Sequence, residues 1–362
     1  MGLTRLDLQD FRIFREARFQ PDLEGTTVLL GPNGTGKTTV LEAISYLASA
    51  RSFRGATKEV LVRQHEATAY LHGTISRHSR DTIIDAAINR TGPGKMLINK
   101  QPVQTKSDLA QAFTVTTFTP DDILVVRGGP SGRRDLLDDA LAVLSPAAGQ
   151  LIETVERILR QRGALLKQAK GKLTPEIEST LEIWDERLSV AGTQLISLRT
   201  QLIADLEPEV AAAYVALATE ETNSQSASLA YTPSFSGDLR AALFRARPDD
   251  VRRAQTTVGP HRDDLLMLVN GRDARTQASQ GEQRCLALSV RLAVHQFVTR
   301  HHGRPPTLLL DDVFSELDPD RARRLVAALP LGQTIISSAV PLPRDVQAAT
   351  VIDVATLGVT SD

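Results

Sequence analysis

One stretch constrains this chain more than any other: Gly31-Pro32-Asn33-Gly34-Thr35-Gly36-Lys37-Thr38 fits G-x-x-x-x-G-K-[ST]. The motif works only where a buried strand runs into a helix start. Its backbone N–H groups must converge on one phosphate, and the helix N-terminus adds about half a positive charge. Both neighbours are legible: residues 27–30 are a short apolar run, and residues 38–49 carry helical spacing. In such a loop Lys37 neutralises the β and γ phosphates, the Thr38 hydroxyl ligates Mg²⁺, and Thr39 completes the ATP-binding set. The plain alternative is a glycine-rich turn that holds no ligand.

Leu308-Leu309-Leu310-Asp311-Asp312 has the form of a buried strand ending in two acids, and ligands of α/β sheets sit at the carboxyl ends of strands. Asp311 is the candidate support for Mg²⁺. Asp312 is the candidate catalytic group that orients or deprotonates the attacking water. A competing role for Asp312 as a helix N-cap is weaker, since Asp320 suits the next helix better.

Ala278-Ser279-Gln280-Gly281-Glu282-Gln283-Arg284 precedes a long helical pattern and resembles the ABC signature L-S-G-G-Q/E, with Ser279 and Gly281 matching and Ala278 and Gln280 departing. A serine hydroxyl and free N–H groups at a helix start form a second anion site. One chain does not usually aim both sites at one phosphate. A two-fold dimer, with each ATP held between the loop of one subunit and Ser279, Gln280, Gly281 and Glu282 of the other, resolves this. Ser315-Glu316-Leu317-Asp318 resembles the ABC D-loop, with Asp318 its acid. A serine N-cap without a role in trans is the other reading of Ser279.

Around these motifs, Leu3, Leu6 and Leu8 alternate as in a strand, and residues 67–75 and 82–88 are β-like. Past Pro130 the pattern turns helical. Leu181, Trp184, Leu188, Ala191, Leu195, Leu198 and Leu202 repeat at three and four, a heptad seam. Two such helices joined by a short turn form either a projecting antiparallel arm or a bundle packed on a core; Arg162, Gly163 and Gly192 weaken a long free coiled coil. Strands return near Thr256, with an Asn270-Gly271 hairpin signal. The expected fold is therefore α/β, an ABC-type P-loop head of mixed sheet and helices at 1–126 and 256–362, split by a mostly helical arm at 127–255.

The 362 residues, 41% of them hydrophobic, suffice for a full core without staples. Cys285, the single cysteine, lies in an apolar helical run and forms no intramolecular bridge, so reducing cytosol is the simplest compartment. No apolar run approaches the roughly 20 residues of a membrane span. The formal net charge of −1 requires any DNA site to gather its positive charge on one face.

Two further stretches complete a recognisable pattern. Pro120-Asp121-Asp122-Ile123-Leu124-Val125-Val126-Arg127-Gly128-Gly129-Pro130 runs on to Arg133-Arg134-Asp135-Leu136-Leu137-Asp138, and Val258-Gly259-Pro260-His261-Arg262-Asp263-Asp264 follows later. With the ATPase motifs and Leu8-Gln9-Asp10-Phe11-Arg12, the chain resembles, over essentially its whole length, the RecF family of recombination mediators, relatives of SMC-type heads. The resemblance implies weak ATPase activity, ATP-dependent homodimers, binding to double-stranded or gapped DNA and junctions, and cooperation with RecR and RecO in loading RecA. Two departures from transporter-type ABC ATPases stand out: Asp312 replaces a glutamate, which predicts slow hydrolysis, and residues 334–339 contain no histidine, leaving Ser338 as the nearest substitute for a γ-phosphate contact.

Candidate phosphate-contacting cations are Arg51, Arg54, Lys95, Lys100, Arg127, Arg133 and Arg134, each of which is also readable as an ordinary surface charge. Arg133 and Arg134 have Asp138 and Asp139 within helical reach. At 4% aromatic content, contacts to duplex backbone fit better than base stacking. Rival classes are the energising subunit of a membrane transporter, disfavoured by the inserted helices, and a scaffold that holds ATP without hydrolysing it.

Overall fold

The computed structural model describes residues 1–77, 80–218, 226–329, 331–339 and 348–357; the Glu316 side chain of the expected D-loop lies outside the described residues. The chain forms two compact units. The first comprises Met1–Asp122, Ala213–Ser224 and Leu288–Asp362, and the second Ile123–Ala212 and Gln225–Ala287.

In the first unit, ten of the thirteen residues of helix Lys37–Ser49 are buried, so the helix is enclosed on nearly every side. Two sheets enclose it. One is parallel, with strand order Thr350–Asp353, Gly25–Leu30, Gln333–Ser338, Thr307–Asp311 and Val115–Phe118. The other is antiparallel, and its longest strands are Gly2–Phe11, Thr68–Arg77 and Arg80–Asn89. Leu309 and Ile335 from the first sheet and Leu3, Leu71 and Ile75 from the second share one core with Val40, Leu41, Ile44 and Leu47 of the helix. Burying each such aliphatic side chain stabilises by about 1.5–3 kcal/mol. Strand Thr307–Asp311 is buried at every position, as a central parallel strand covered on both faces should be.

Buried His295 on helix Gln280–His302 is 1% exposed, and neither ring nitrogen has a partner among the described residues. Burial lowers its pKa to about 4. As pH falls from about 6.5 to 4 the unfolded chain takes up this proton before the folded one does, so stability is full above that window and is lost descending through it. His295→Leu is expected to relieve roughly 3 kcal/mol of that loss, read as a smaller fall in urea midpoint between pH 7 and pH 4 than in the parent.

The second unit contains helices Pro130–Leu144, Pro146–Gln168 and Leu239–Arg253, most of helix Pro175–Leu217, and a small sheet around Asp264–Val269. Here the heptad expectation is corrected. Leu181, Leu188, Leu195 and Leu202 are buried, but Asp185 and Arg199 take the inward positions expected of Trp184 and Leu198. The stripe follows the helical period of 3.6 instead of 3.5, because the helix packs within a compact unit and not along a single coiled-coil partner.

The inward polar positions are matched by a buried network. Arg162, fully enclosed, donates to Asp185 at 2.9 Å and to Thr256 at 2.8 Å, and pairs with Asp250 at 2.7 Å; Arg247 donates to the other Asp185 oxygen at 2.7 Å. Charges removed from water need such partners. Arg162 thus interrupts the apolar stripe because it joins helices, not because it faces solvent.

The units also divide elsewhere than the expected 1–126 plus 256–362 and 127–255. Residues 256–287 pack in the second unit, where Asp263 accepts from the Tyr231 hydroxyl (2.6 Å) and the Ser234 amide (2.7 Å), and Asp264 holds Arg133.

Candidate nucleotide-binding site

The loop at residues 31–36 leaves the carboxyl end of strand Gly25–Leu30 and enters helix Lys37–Ser49. Gly36 has φ +102°, and a Cβ there would lie 2.6 Å from the Phe14 ring and 2.8 Å from Ile13, so only glycine lets the loop pass this close. Lys37 is 6% exposed, and its ammonium donates to the carbonyls of Gly31 (2.6 Å) and Pro32 (2.8 Å), holding the cation at the loop.

Strand Thr307–Asp311 ends beside it. The Thr38 hydroxyl donates to Asp311 at 2.8 Å, and the Ser337 hydroxyl donates to the same carboxylate oxygen at 2.7 Å. Burial pushes the Asp311 carboxyl above its ordinary pKa, against these two hydrogen bonds that favour its charged form. One hard-oxygen carboxylate beside one hydroxyl fits Mg²⁺, which takes one or two carboxylates and completes its octahedron with water and substrate phosphates. No cluster of three or more acid, histidine or cysteine ligands occurs among the described residues, as that mode of binding requires none.

Asp312 follows in a left-handed conformation, φ +48°, pinned by its amide, which donates to Ser337 through the carbonyl (3.2 Å) and the hydroxyl (3.0 Å). Asp312 lines an open cavity of about 670 Å³ together with Gly34, Gly36, Lys37, Thr38 and Thr39, and its Oδ1 is buried without a partner among the described residues. Within residues 334–339, Ser337 holds both acids, its hydroxyl donating to Asp311 and accepting from the Asp312 amide.

Two wall residues, Arg12 and Arg90, are fixed by partners that the sequence does not mark. Arg12 makes a bidentate pair with fully buried Glu42 (2.8 and 2.7 Å), and Ser52 also donates to Glu42. Arg90 immediately follows strand Arg80–Asn89, and its one guanidinium donates to four carbonyls, those of Glu66 (2.8 Å), Glu59 (3.1 Å), Val62 (3.1 Å) and Arg63 (2.6 Å). This holds the segment whose Val60 and Gln64 line the cavity. Arg90→Ala is expected to raise the Kd for ATP about tenfold by loosening that wall, since each charge-assisted bond to a carbonyl contributes about 1.5–3 kcal/mol. Titration calorimetry measures it, and proteolysis within 58–66 should quicken in parallel.

The remaining expected residues open helices. Ser279 is exposed and opens helix Gln280–His302 through a capping box: its amide donates to Glu282 (2.7 Å) and the Glu282 amide donates to its hydroxyl (3.3 Å). Gln280 and Gly281 form the first turn. Asp318, and not Asp320, caps helix Pro319–Ala328, accepting from the Arg321 amide at 2.9 Å, because Pro319 occupies the first helical position.

Among the DNA candidates, Arg133 is withdrawn: it is 3% exposed, bidentate on Asp264 (2.7 and 2.9 Å) and bonded to the carbonyl of Gly128 (2.9 Å). Its partner is thus Asp264 rather than Asp138 on its own helix; Asp138 holds Arg199 instead. Arg134 donates to the Asp263 carbonyl and Arg127 to the Gln283 side chain. Arg54 lines the nucleotide cavity. Arg51, Lys95 and Lys100 are exposed. Position in sequence did not distinguish these cases, because a buried bidentate arginine and a surface one look alike without their partners.

A phosphate loop on an enclosed helix, with acids at the end of a parallel strand beside it, is the architecture of an ABC-type ATPase head. A profile described as the RecF/RecN/SMC N terminal domain matches residues 2–339. The DNA replication and repair protein RecF of Clavibacter sepedonicus is 35% identical over 368 residues, covering 94% of this chain and 90% of its own. The chain belongs to the RecF family. A solved structure of the recombination mediator protein RecF with ATP in the RecFOR pathway superposes with a TM-score of 0.86 at 28% identity, covering 96% of this chain and 93% of that one. An Smc head domain derived from Pyrococcus furiosus shares the fold at a TM-score of 0.53 and 15% identity, over 94% of this chain and 90% of its own.

Proposed function

We propose that this chain is an ATP-driven homodimeric switch of recombinational DNA repair and replication. Two copies close on gapped or junction duplex in the cytoplasm, and slow, DNA-stimulated hydrolysis reopens them. With RecR and RecO it aids RecA loading, a reading supported by the relatives' names and by the RecFOR pathway of the solved RecF structures. The observation that carries the nucleotide cycle is the Thr38–Asp311–Ser337 cluster beside Asp312, which lines the phosphate-loop cavity.

In this cycle Lys37 and the 31–36 amides hold the β and γ phosphates; Thr38 and Asp311 would hold Mg²⁺, whose charge would offset that of the phosphates when bound. Asp312 accepts the proton of the attacking water. Ser279 and the first turn at Gln280, Gly281 and Glu282 reach the γ-phosphate of the partner's nucleotide, and Asp318 follows at the same interface. Because coupling is reciprocal, DNA that favours the closed dimer tightens ATP binding by the same factor.

Light scattering with ATP, ADP or no nucleotide, repeated with gapped duplex, tests the switch: the mass should double with ATP alone and remain doubled with DNA. A chain that stays monomeric at saturating ATP and DNA contradicts the reading. Asp312→Asn should slow phosphate release roughly a hundredfold, the scale of a general base. It should also lengthen dimer lifetime, so unchanged turnover would move the base elsewhere.

A further inference from the structure

The marker at 258–264 is only partly explained by the bonds of its acids, and the loop that carries it borders a second concavity. This groove, of about 420 Å³, runs between helix Pro146–Gln168 and residues 254–262. Its charged lining is Arg160, Lys167 and Arg262, all exposed cations, and no acid lines it.

The walls are built. His261 Nε2 donates to the Thr256 carbonyl at 3.0 Å, and Arg262 Nε donates to the same oxygen at 3.1 Å. Arg262 also donates to the Gln255 side chain at 3.1 Å, and Thr256 is anchored below by Arg162. Arg262 is therefore held at the rim. Among the described residues Arg160 has an exposed i,i+4 partner, Glu156 at 3.7 Å, a pair weak enough to exchange for another anion.

The floor contains Gly163, in the middle of a 23-residue helix. Glycine there weakens the helix relative to alanine, and neither of its usual reasons applies. It has no positive φ, and a Cβ built on it meets nothing within 4 Å. The only thing an added side chain would change is the open space of the groove. Arg160 and Lys167 are two turns apart on one face, roughly 10 Å along the axis, far enough apart to meet different phosphates of one strand.

We propose that this groove is a docking site for a nucleic-acid phosphodiester backbone, in which Arg160, Lys167 and Arg262 neutralise phosphates and Gly163 lets the strand lie close to the helix. The inference rests on the reading that the protein engages DNA, and it names where. It also gives the 254–262 loop a function: its hydrogen bonds present Arg262 to the ligand.

The test uses the full chain with ATP and fluorescein-labelled gapped duplex, followed by anisotropy across a salt series. Gly163→Leu, which fills the groove while favouring the helix, should keep or raise Tm, leave ATP affinity unchanged and weaken DNA binding at least tenfold. Arg160→Ala with Lys167→Ala should lower the slope of log K against log salt by about two. If the parent binds duplex and both variants retain its affinity and slope, the groove is not the site, although DNA engagement stands. If the parent binds no DNA in any nucleotide state, the underlying reading fails and the groove assignment with it.

Discussion

Lys37→Met is expected to cost at least a hundredfold in ATP affinity while leaving the fold intact. Lys37 is 6% exposed and its ammonium is bonded to two loop carbonyls, those of Gly31 and Pro32, so it is already positioned where a polyphosphate would replace the carbonyls. Removing a charged donor from a phosphate site costs about 3 kcal/mol, a factor of roughly 150. The unbranched methionine fills the same narrow volume, so the Thr38–Asp311 bond and the packing of helix Lys37–Ser49 should persist. Titration with ATP reads the affinity and thermal melting reads the fold. Affinity within threefold of the parent would remove the loop from phosphate binding, whereas loss of folding would make Lys37→Arg, which retains a cation, the deciding variant.

Ser279→Arg is expected to abolish ATP-induced dimers without weakening ATP binding to the monomer. The serine serves two ends that must be separated. Within its own chain it caps helix Gln280–His302, and losing that cap costs about 1 kcal/mol. In the proposed dimer it also donates to the γ-phosphate of the other subunit's nucleotide. Ser279→Asp divides the two roles, because aspartate caps a helix as well as serine does but sets a negative charge against the phosphate. Both variants should remain monomeric in light scattering with ATP, and the aspartate form should melt like the parent. Dimers that survive in both would leave the serine with its cap alone.

The nucleotide site was legible because its chemistry is local. A phosphate loop needs glycines, a lysine and a helix start within eight positions, and Gly31 to Thr38 supply them contiguously. Asp311 and Asp312 could be paired with that loop across 273 residues only because both motifs announce the carboxyl end of a buried strand. Arg90 gave no such signal. Its four acceptors are backbone carbonyls, which every residue possesses, so no residue type 24 to 31 positions upstream marks them in advance. Strand Val115–Phe118 was unreadable for a related reason: VTTF is half polar, and it is a strand because it pairs in parallel with Thr307–Asp311.

The sequence by itself determined the enclosed helix, the phosphate loop, the paired acids and the serine-led helix start, since each is set by neighbours a few residues away. Tertiary structure alone decided which arginines are structural and which face solvent. It also turned the heptad seam of Pro175–Leu217 inward at Asp185 and Arg199 instead of Trp184 and Leu198. The physical reason is that a buried charge is stable only beside partners that neutralise it, and Asp185 finds Arg162 and Arg247 from positions 23 residues before it and 62 after it, distances over which periodicity carries no information.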